Sequence, residues 1–133
     1  MSAPAGAKLI LIVEDNEKNL KLARDLLRFN GFTTIEATNA EDGIALAKER
    51  HPDLILMDIQ LPGMDGVSAL EHLRADAATA GIPVVALTAS VMKEDRERFD
   101  KAGFDGLLIK PIEVKRFAAQ VRELCERGRT AAP

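Results

Sequence analysis

The sequence predicts an α/β protein in which five parallel strands form one doubly wound sheet with helices on both faces. Short apolar runs alternate with longer stretches of helical period, the pattern of strand–helix–strand units. The runs LILIV and LILM are apolar at every position, which suits strands covered on both faces. The 133 residues, 47% hydrophobic and 29% charged, are the size and composition of one domain with one core.

The first strand is predicted over Leu9–Val13, and Asn16 is placed to cap a helix that runs to about Asn30 and stops at Gly31. The second strand, Ile35–Ala37, leads into a helix capped by Asn39 and ended before Pro52. The third, Leu54–Met57, is followed by a turn built on Pro62, Gly63 and Gly66, with Asp65 capping the next helix. After the fourth strand, Val84–Leu87, a helix begins near Lys93 and stops at Gly103. Charged residues surround Phe99, nearly its only large apolar anchor, so this helix is expected to be loosely held. The fifth strand is Leu107–Ile109, and the last helix is predicted from about Val114 to Arg127. Its buried stripe comprises Val114, Phe117, Ala118, Val121, Leu124 and Cys125, with Cys125 serving as core packing. These elements define one domain over 8–127, between a flexible segment 1–7 and a short tail 128–133.

The net charge of −3 leaves no basic stripe for a nucleic-acid backbone. One cysteine cannot form an internal disulfide, the apolar runs are far too short to span a bilayer, and the N-terminus has no signal-peptide pattern. A cytoplasmic protein without nucleic-acid or membrane partners is therefore expected.

In a doubly wound sheet, ligands gather at the carboxyl ends of the strands. There the sequence places Glu14 and Asp15 after the first strand, Asp58 after the third, Thr88 after the fourth, and Lys110 and Pro111 after the fifth. Two unit charges about 4 Å apart repel by roughly 4 kcal/mol at an effective dielectric near 20, so three converging carboxylates call for a cation. An all-oxygen cluster without His or Cys suits a hard divalent ion, and Mg2+ is expected, with Mn2+ as a substitute. An aspartate beside Mg2+, a hydroxyl and a lysine is arranged to take a phosphoryl group, which makes Asp58 the candidate nucleophile. The small Ala89 and Ser90 leave room for a phosphoryl donor. Singly, each residue has a bland reading: helix-start acid for Glu14 or Asp15, strand-end hydroxyl for Thr88, solvated charge for Lys110. It is their joint placement that carries the chemistry. His51 and His72 lack partners at metal spacing and are set aside.

Ile12-Val13-Glu14-Asp15-Asn16, the run Met57 to Gly66 (MDIQLPGMDG), Leu87-Thr88-Ala89 and Lys110-Pro111 together resemble the receiver domain of two-component response regulators, over roughly Lys8 to Glu126. The resemblance implies a flavodoxin-like fold with strand order 2-1-3-4-5 and a phosphoacceptor at Asp58. It implies Mg2+ bound by Asp15 and Asp58, by Glu14 through water, and by the backbone carbonyl of Gln60. It also implies that Thr88 takes a phosphate oxygen, that Lys110 pairs with the phosphate and Asp58, and that a cis bond to Pro111 aims the lysine. Gln60 and Ser90 would flank the phosphoryl group and influence its lifetime. The chain departs from the family at Leu107, where receivers often carry an aromatic ring that turns with the threonine.

On this resemblance the chain is a stand-alone signalling receiver and not a turnover enzyme, catalysing only its own phosphorylation and dephosphorylation. Its partners would be a sensor histidine kinase or histidine phosphotransfer protein and a downstream protein target, with the receiver monomeric or dimerising on phosphorylation. Leu22 and Phe29, on the flank of the first helix, are candidate docking residues beside the mouth of the site. Two other readings are weaker. A flavin binder or phosphatase would want a glycine- or hydroxyl-rich loop, or the nucleophile itself, after the first strand, where acids stand instead. A pseudo-receiver would have lost the acceptor or the lysine.

Overall fold

The computed structural model describes residues 7–129. The elements run β1 (Leu9–Val13), α1 (Glu17–Phe29), β2 (Thr33–Ala37), α2 (Ala40–Arg50), β3 (Leu54–Asp58), α3 (Gly66–Ala75), β4 (Val84–Thr88), α4 (Lys93–Ala102), β5 (Gly106–Ile109) and α5 (Phe117–Arg127). The five strands are parallel, in the order β2-β1-β3-β4-β5. Most of the expected N-terminal segment and tail, residues 1–6 and 130–133, lies outside the described residues.

Because successive strand side chains point to opposite faces, the all-apolar runs feed two cores at once. Leu11 and Val13 of β1 and Ile55 and Met57 of β3 pack with Ala40 and Ala47 of α2, Leu70 and Leu73 of α3, and Phe99 of α4. Ile10, Ile12, Leu54 and Leu56 face the other way, onto Leu20, Ala23 and Leu27 of α1 and Phe117, Val121 and Leu124 of α5. This two-sided burial is what LILIV and LILM encode.

The caps read from sequence are in place. Asn16, Asn39 and Asp65 each accept a hydrogen bond from the backbone N–H three residues on, those of Asn19, Asp42 and Ser68. Gly31 and Gly103 end their helices with φ of +92° and +107°.

Several boundaries differ from the sequence reading. Strand β2 begins at Thr33, because Thr33 and Thr34 pair with Leu9 and Ile10 although they are polar. Strands β3 and β4 extend to include Asp58 and Thr88, so the polar residues are the last of their strands. Helix α5 starts at Phe117: Glu113 O first accepts from Arg116 N–H and Phe117 N–H in a turn, and Val114 is left 58% exposed, outside the buried stripe. Cys125 is only half-buried, at the margin of the second core, and burial pushes its thiol up to about 11.

At the opposite end of the sheet from the acidic strand ends lies a buried carboxylate that periodicity could not reveal. Asp105 accepts from the Val84 N–H at 2.9 Å, from Arg74 at 2.7 Å and from Arg129 at 3.0 Å. It ties α3 and the residues after α5 to the start of β4. Asp105→Ala would leave the half-buried Arg74 guanidinium without its carboxylate and the Val84 N–H without its acceptor. We expect a loss of about 3 kcal/mol, read by chemical denaturation.

Candidate functional site

The parallel register brings the carboxyl ends of β1, β3, β4 and β5 level, and backbone bonds continue the ladder past the strands. Ile59 N–H donates to Leu87 O at 3.0 Å, and Lys110 N–H donates to Thr88 O at 2.7 Å. The side chains at these ends are thus presented by rigid elements. Glu14, Asp58 and Thr88 are buried, Lys110 is half-buried, and Asp15 is exposed at the rim.

Lys110 Nζ donates to Asp58 Oδ2 at 3.2 Å and to Glu14 Oε1 at 3.1 Å, bridging residues 52 and 96 positions away in sequence. The Asp58 pairing is the one the resemblance implies; the direct Glu14 contact is additional to the metal role that the resemblance gives Glu14. Burial works against the lysine's charge, but Glu14 and Asp58 more than offset it and raise its pKa above the ordinary value. Glu14 is pushed up to about 7, first by burial and then by the neighbouring Asp58, with Lys110 opposing. One ammonium therefore does not satisfy this much buried carboxylate. Glu14 Oε2 is buried without a hydrogen-bond partner among the described residues.

One carboxylate oxygen from each of Glu14, Asp15 and Asp58 lies within 4.8 Å of the others. An all-oxygen donor set with an orphaned buried oxygen fits a hard divalent cation such as Mg2+. Gln60, the residue expected to add a carbonyl, directs its backbone N–H onto Asp58 Oδ1 at 3.0 Å, fixing that carboxylate's orientation. Thr88 Oγ1 accepts from Ser90 N–H at 3.1 Å. Ala89 is exposed beside it, and the Lys110–Pro111 peptide is cis.

Leu107 stands where the aromatic was missed. It packs half-buried against the first core and lines a groove of about 480 Å³ with Phe99 and Phe104, whose rings meet edge to face at 6.2 Å. Phe29 is 89% exposed, and Leu22 is half-buried. Phe29 closes α1, twelve residues beyond Glu17 and thus about 18 Å along the axis, so it lies away from the mouth of the site and not beside it.

Gly66, read from sequence as a turn residue, has a second role. A Cβ there would sit 2.6 Å from Asp58 O and 3.0 Å from Ile59 Cα, backbone that cannot swing aside. Gly66→Ala is expected to cost about 1–3 kcal/mol and to shift the Asp58 loop, visible as a lowered denaturation midpoint and weaker Mg2+ binding.

The response regulator receiver domain family matches residues 10–122. The chain belongs to that family. Among related receivers, the polar-differentiation response regulator DivK of Brucella ovis is 45% identical over 115 residues, covering 86% of this chain and 94% of its own. The CheY-like receiver domain protein of Methanospirillum hungatei JF-1 superimposes with a TM-score of 0.82 at 27% identity, over 92% of this chain and 96% of its own. The receiver domain of a sensor histidine kinase from Pseudomonas aeruginosa PAO1, solved with magnesium coordinated in its active-site cleft, gives 0.80 at 32%, covering 92% of this chain and 98% of its own. This receiver therefore has the CheY-like flavodoxin fold expected from its sequence, and no helix among its described residues is long and apolar enough to cross a membrane.

Two further features of the receiver escaped the sequence reading. The bond between Ser90 Oγ and Asp95 Oδ2, at 2.6 Å, joins a loop residue to a helix residue that looked like one of many solvated charges. The buried Asp105 had a faint signal, a lone acid between Phe104 and Gly106 at the start of a strand.

Proposed function

We propose that this receiver takes a phosphoryl group on Asp58 from a phosphohistidine of a sensor histidine kinase or histidine phosphotransfer protein, and so acts as a signalling switch or relay intermediate. The observation that carries the reading is the Lys110 ammonium bridging Glu14 and Asp58 beside an orphaned carboxylate oxygen. In the transfer the donor's P–N bond breaks, a P–O bond to Asp58 forms, and the imidazole leaves to be protonated. Gln60 N–H holds one Asp58 oxygen, leaving the other facing Lys110. Once the phosphoryl group is attached, Lys110 pairs with it and the Thr88 hydroxyl takes another of its oxygens. Ala89 and Ser90 leave space for the donor, and Gln60 and Ser90 flank the group and govern its lifetime.

Glu14, Asp15, Asp58 and the Gln60 carbonyl would hold Mg2+, or Mn2+ in its place; the magnesium in the related Pseudomonas receiver supports that assignment. The bound ion supplies positive charge where the phosphoryl oxygens carry negative charge. In this reading the protein is cytoplasmic, is monomeric or dimerises on phosphorylation, acts on a downstream protein target, and catalyses no turnover beyond its own phosphorylation and hydrolysis.

Intact-mass measurement after incubation with Mg2+ and a small phosphodonor tests the reading. A receiver gains one labile phosphoryl group. A chain that instead hydrolyses external phosphoesters many times over, or purifies with a yellow flavin, would refute it. A donor helix lying along α1 would reach from the site to its far end, so the half-buried Leu22 and the exposed Phe29, seven residues apart on one face, are the proposed docking strip for the histidine donor. Leu22→Ala with Phe29→Ala should slow transfer from that donor roughly tenfold while leaving uptake from the small phosphodonor unchanged. Equal slowing of both would reject the docking role.

A further inference from the structure

A chain of hydrogen bonds runs from Thr88 to α4 that phosphoacceptor chemistry does not itself require. Ser90 N–H donates to Thr88 Oγ1 at 3.1 Å. The Ser90 hydroxyl accepts from Met92 N–H at 3.2 Å and donates to Asp95 Oδ2 at 2.6 Å. Met92, the residue that precedes α4, makes no side-chain cap, so Ser90 from the loop and Asp95 within the first turn together organise the helix start. Further along, α4 buries only Phe99. The helix is thus anchored by Phe99, with Ala102 partly buried against the same core, and by its start, which leads directly to Thr88.

We propose that Asp95 is a positioning residue for Thr88: through Ser90 it latches the loop over residues 89–92, and it couples loading of Asp58 to release of the first turn of α4. This rests on the reading above, in which the Thr88 hydroxyl turns to a phosphoryl group on Asp58. No hydrogen bond joins Thr88 to Asp58 among the described residues, and Thr88 can turn only by breaking its bond from Ser90 N–H or by drawing Ser90 along. Asp95 opposes both movements, because a bond to a charged acceptor is among the stronger side-chain bonds. Coupling is reciprocal: if loading works against the latch, removing the latch makes loading easier by the same factor. The route needs no aromatic ring at Leu107.

The test is a titration of the full chain, in Mg2+, with beryllofluoride, a stable stand-in for a phosphoryl group on a carboxylate. Fluorine NMR gives the half-saturation point, and hydrogen exchange follows residues 93–102. Asp95→Ala should half-saturate at about threefold to tenfold lower beryllofluoride than wild type. Its α4 amides should already exchange fast before loading, whereas those of wild type speed up on loading. Asp95→Asn keeps an oxygen for the Ser90 hydroxyl but loses the charge, and should half-saturate between wild type and Asp95→Ala. Arg98→Ala removes the 3.8 Å contact to Asp95 and the 4.9 Å stacking of its guanidinium on the Phe99 ring but leaves the Ser90–Asp95 bond intact, so its half-saturation should stay close to wild type. Equal half-saturation for Asp95→Ala and wild type, or an Asp95→Asn that behaves like Asp95→Ala, overturns the latch alone. A wild type that takes no beryllofluoride overturns the functional reading and the latch with it.

Discussion

Asp58→Asn is expected to take up no phosphoryl group under conditions in which the wild type gains one, as read by intact mass. The amide is isosteric and can still accept the Gln60 N–H bond, so the loop geometry survives while the nucleophile is lost. The same change removes one of two buried carboxylates competing for Lys110. Repulsion on Glu14 falls, and its pKa should drop back from about 7. The metal-free variant should therefore be at least as stable as wild type, a result that separates loss of chemistry from loss of fold. A variant that still gains a labile phosphoryl group would move the acceptor elsewhere.

The second large effect is a stability that falls with pH in the metal-free protein. Glu14 titrates near 7 in the folded chain against an ordinary value of 4.5. Between those limits the folded state holds a proton that the unfolded state has released. The stabilisation is complete below about pH 4.5 and is lost as pH rises through 7, by on the order of 2–3 kcal/mol. Mg2+ should compete with that proton, so that its apparent affinity rises with pH and levels off above about 7. Saturating Mg2+ should flatten the decline. Denaturation midpoints across pH 5 to 8, with and without Mg2+, check both statements. A flat metal-free profile would mean that Glu14 is already ionised and satisfied.

How far the sequence anticipates these results depends on whether a feature is periodic or depends on depth. The two-sided cores follow from LILIV and LILM, whose unbroken apolar character suits a strand covered on both faces. The caps at Asn16, Asn39 and Asp65 follow from local chemistry that acts over three residues. The carboxyl-end cluster follows from topology, because parallel strands in register align whatever comes next. Contacts that depend on depth were not legible. Nothing in the sequence says that Glu14 sinks far enough to meet Lys110, or that Asp105 is buried among arginines while Asp15 stays at the surface. The start of α5 was misplaced because Val114 fits the helical period although the chain is still turning there.

Leu107 shows the same limit. The absent aromatic could be read, but the hydrogen bonds that join Thr88, Ser90 and Asp95 needed coordinates. Helix α4 was expected to be loosely held because it is rich in charge, and Phe99 is indeed its one buried side chain.

The central claim is that crowded carboxylates, balanced by Lys110 and a bound divalent cation, prime Asp58 for reversible modification. The most direct test is the rate of phosphoryl uptake from a small phosphodonor as Mg2+ is titrated from a chelated start, with the modified residue mapped in each sample. Uptake that rises from near zero with Mg2+ and places the group on Asp58 alone is the expected result. Uptake at an equal rate in chelator, or a phosphoryl group mapped to any other residue, would contradict it.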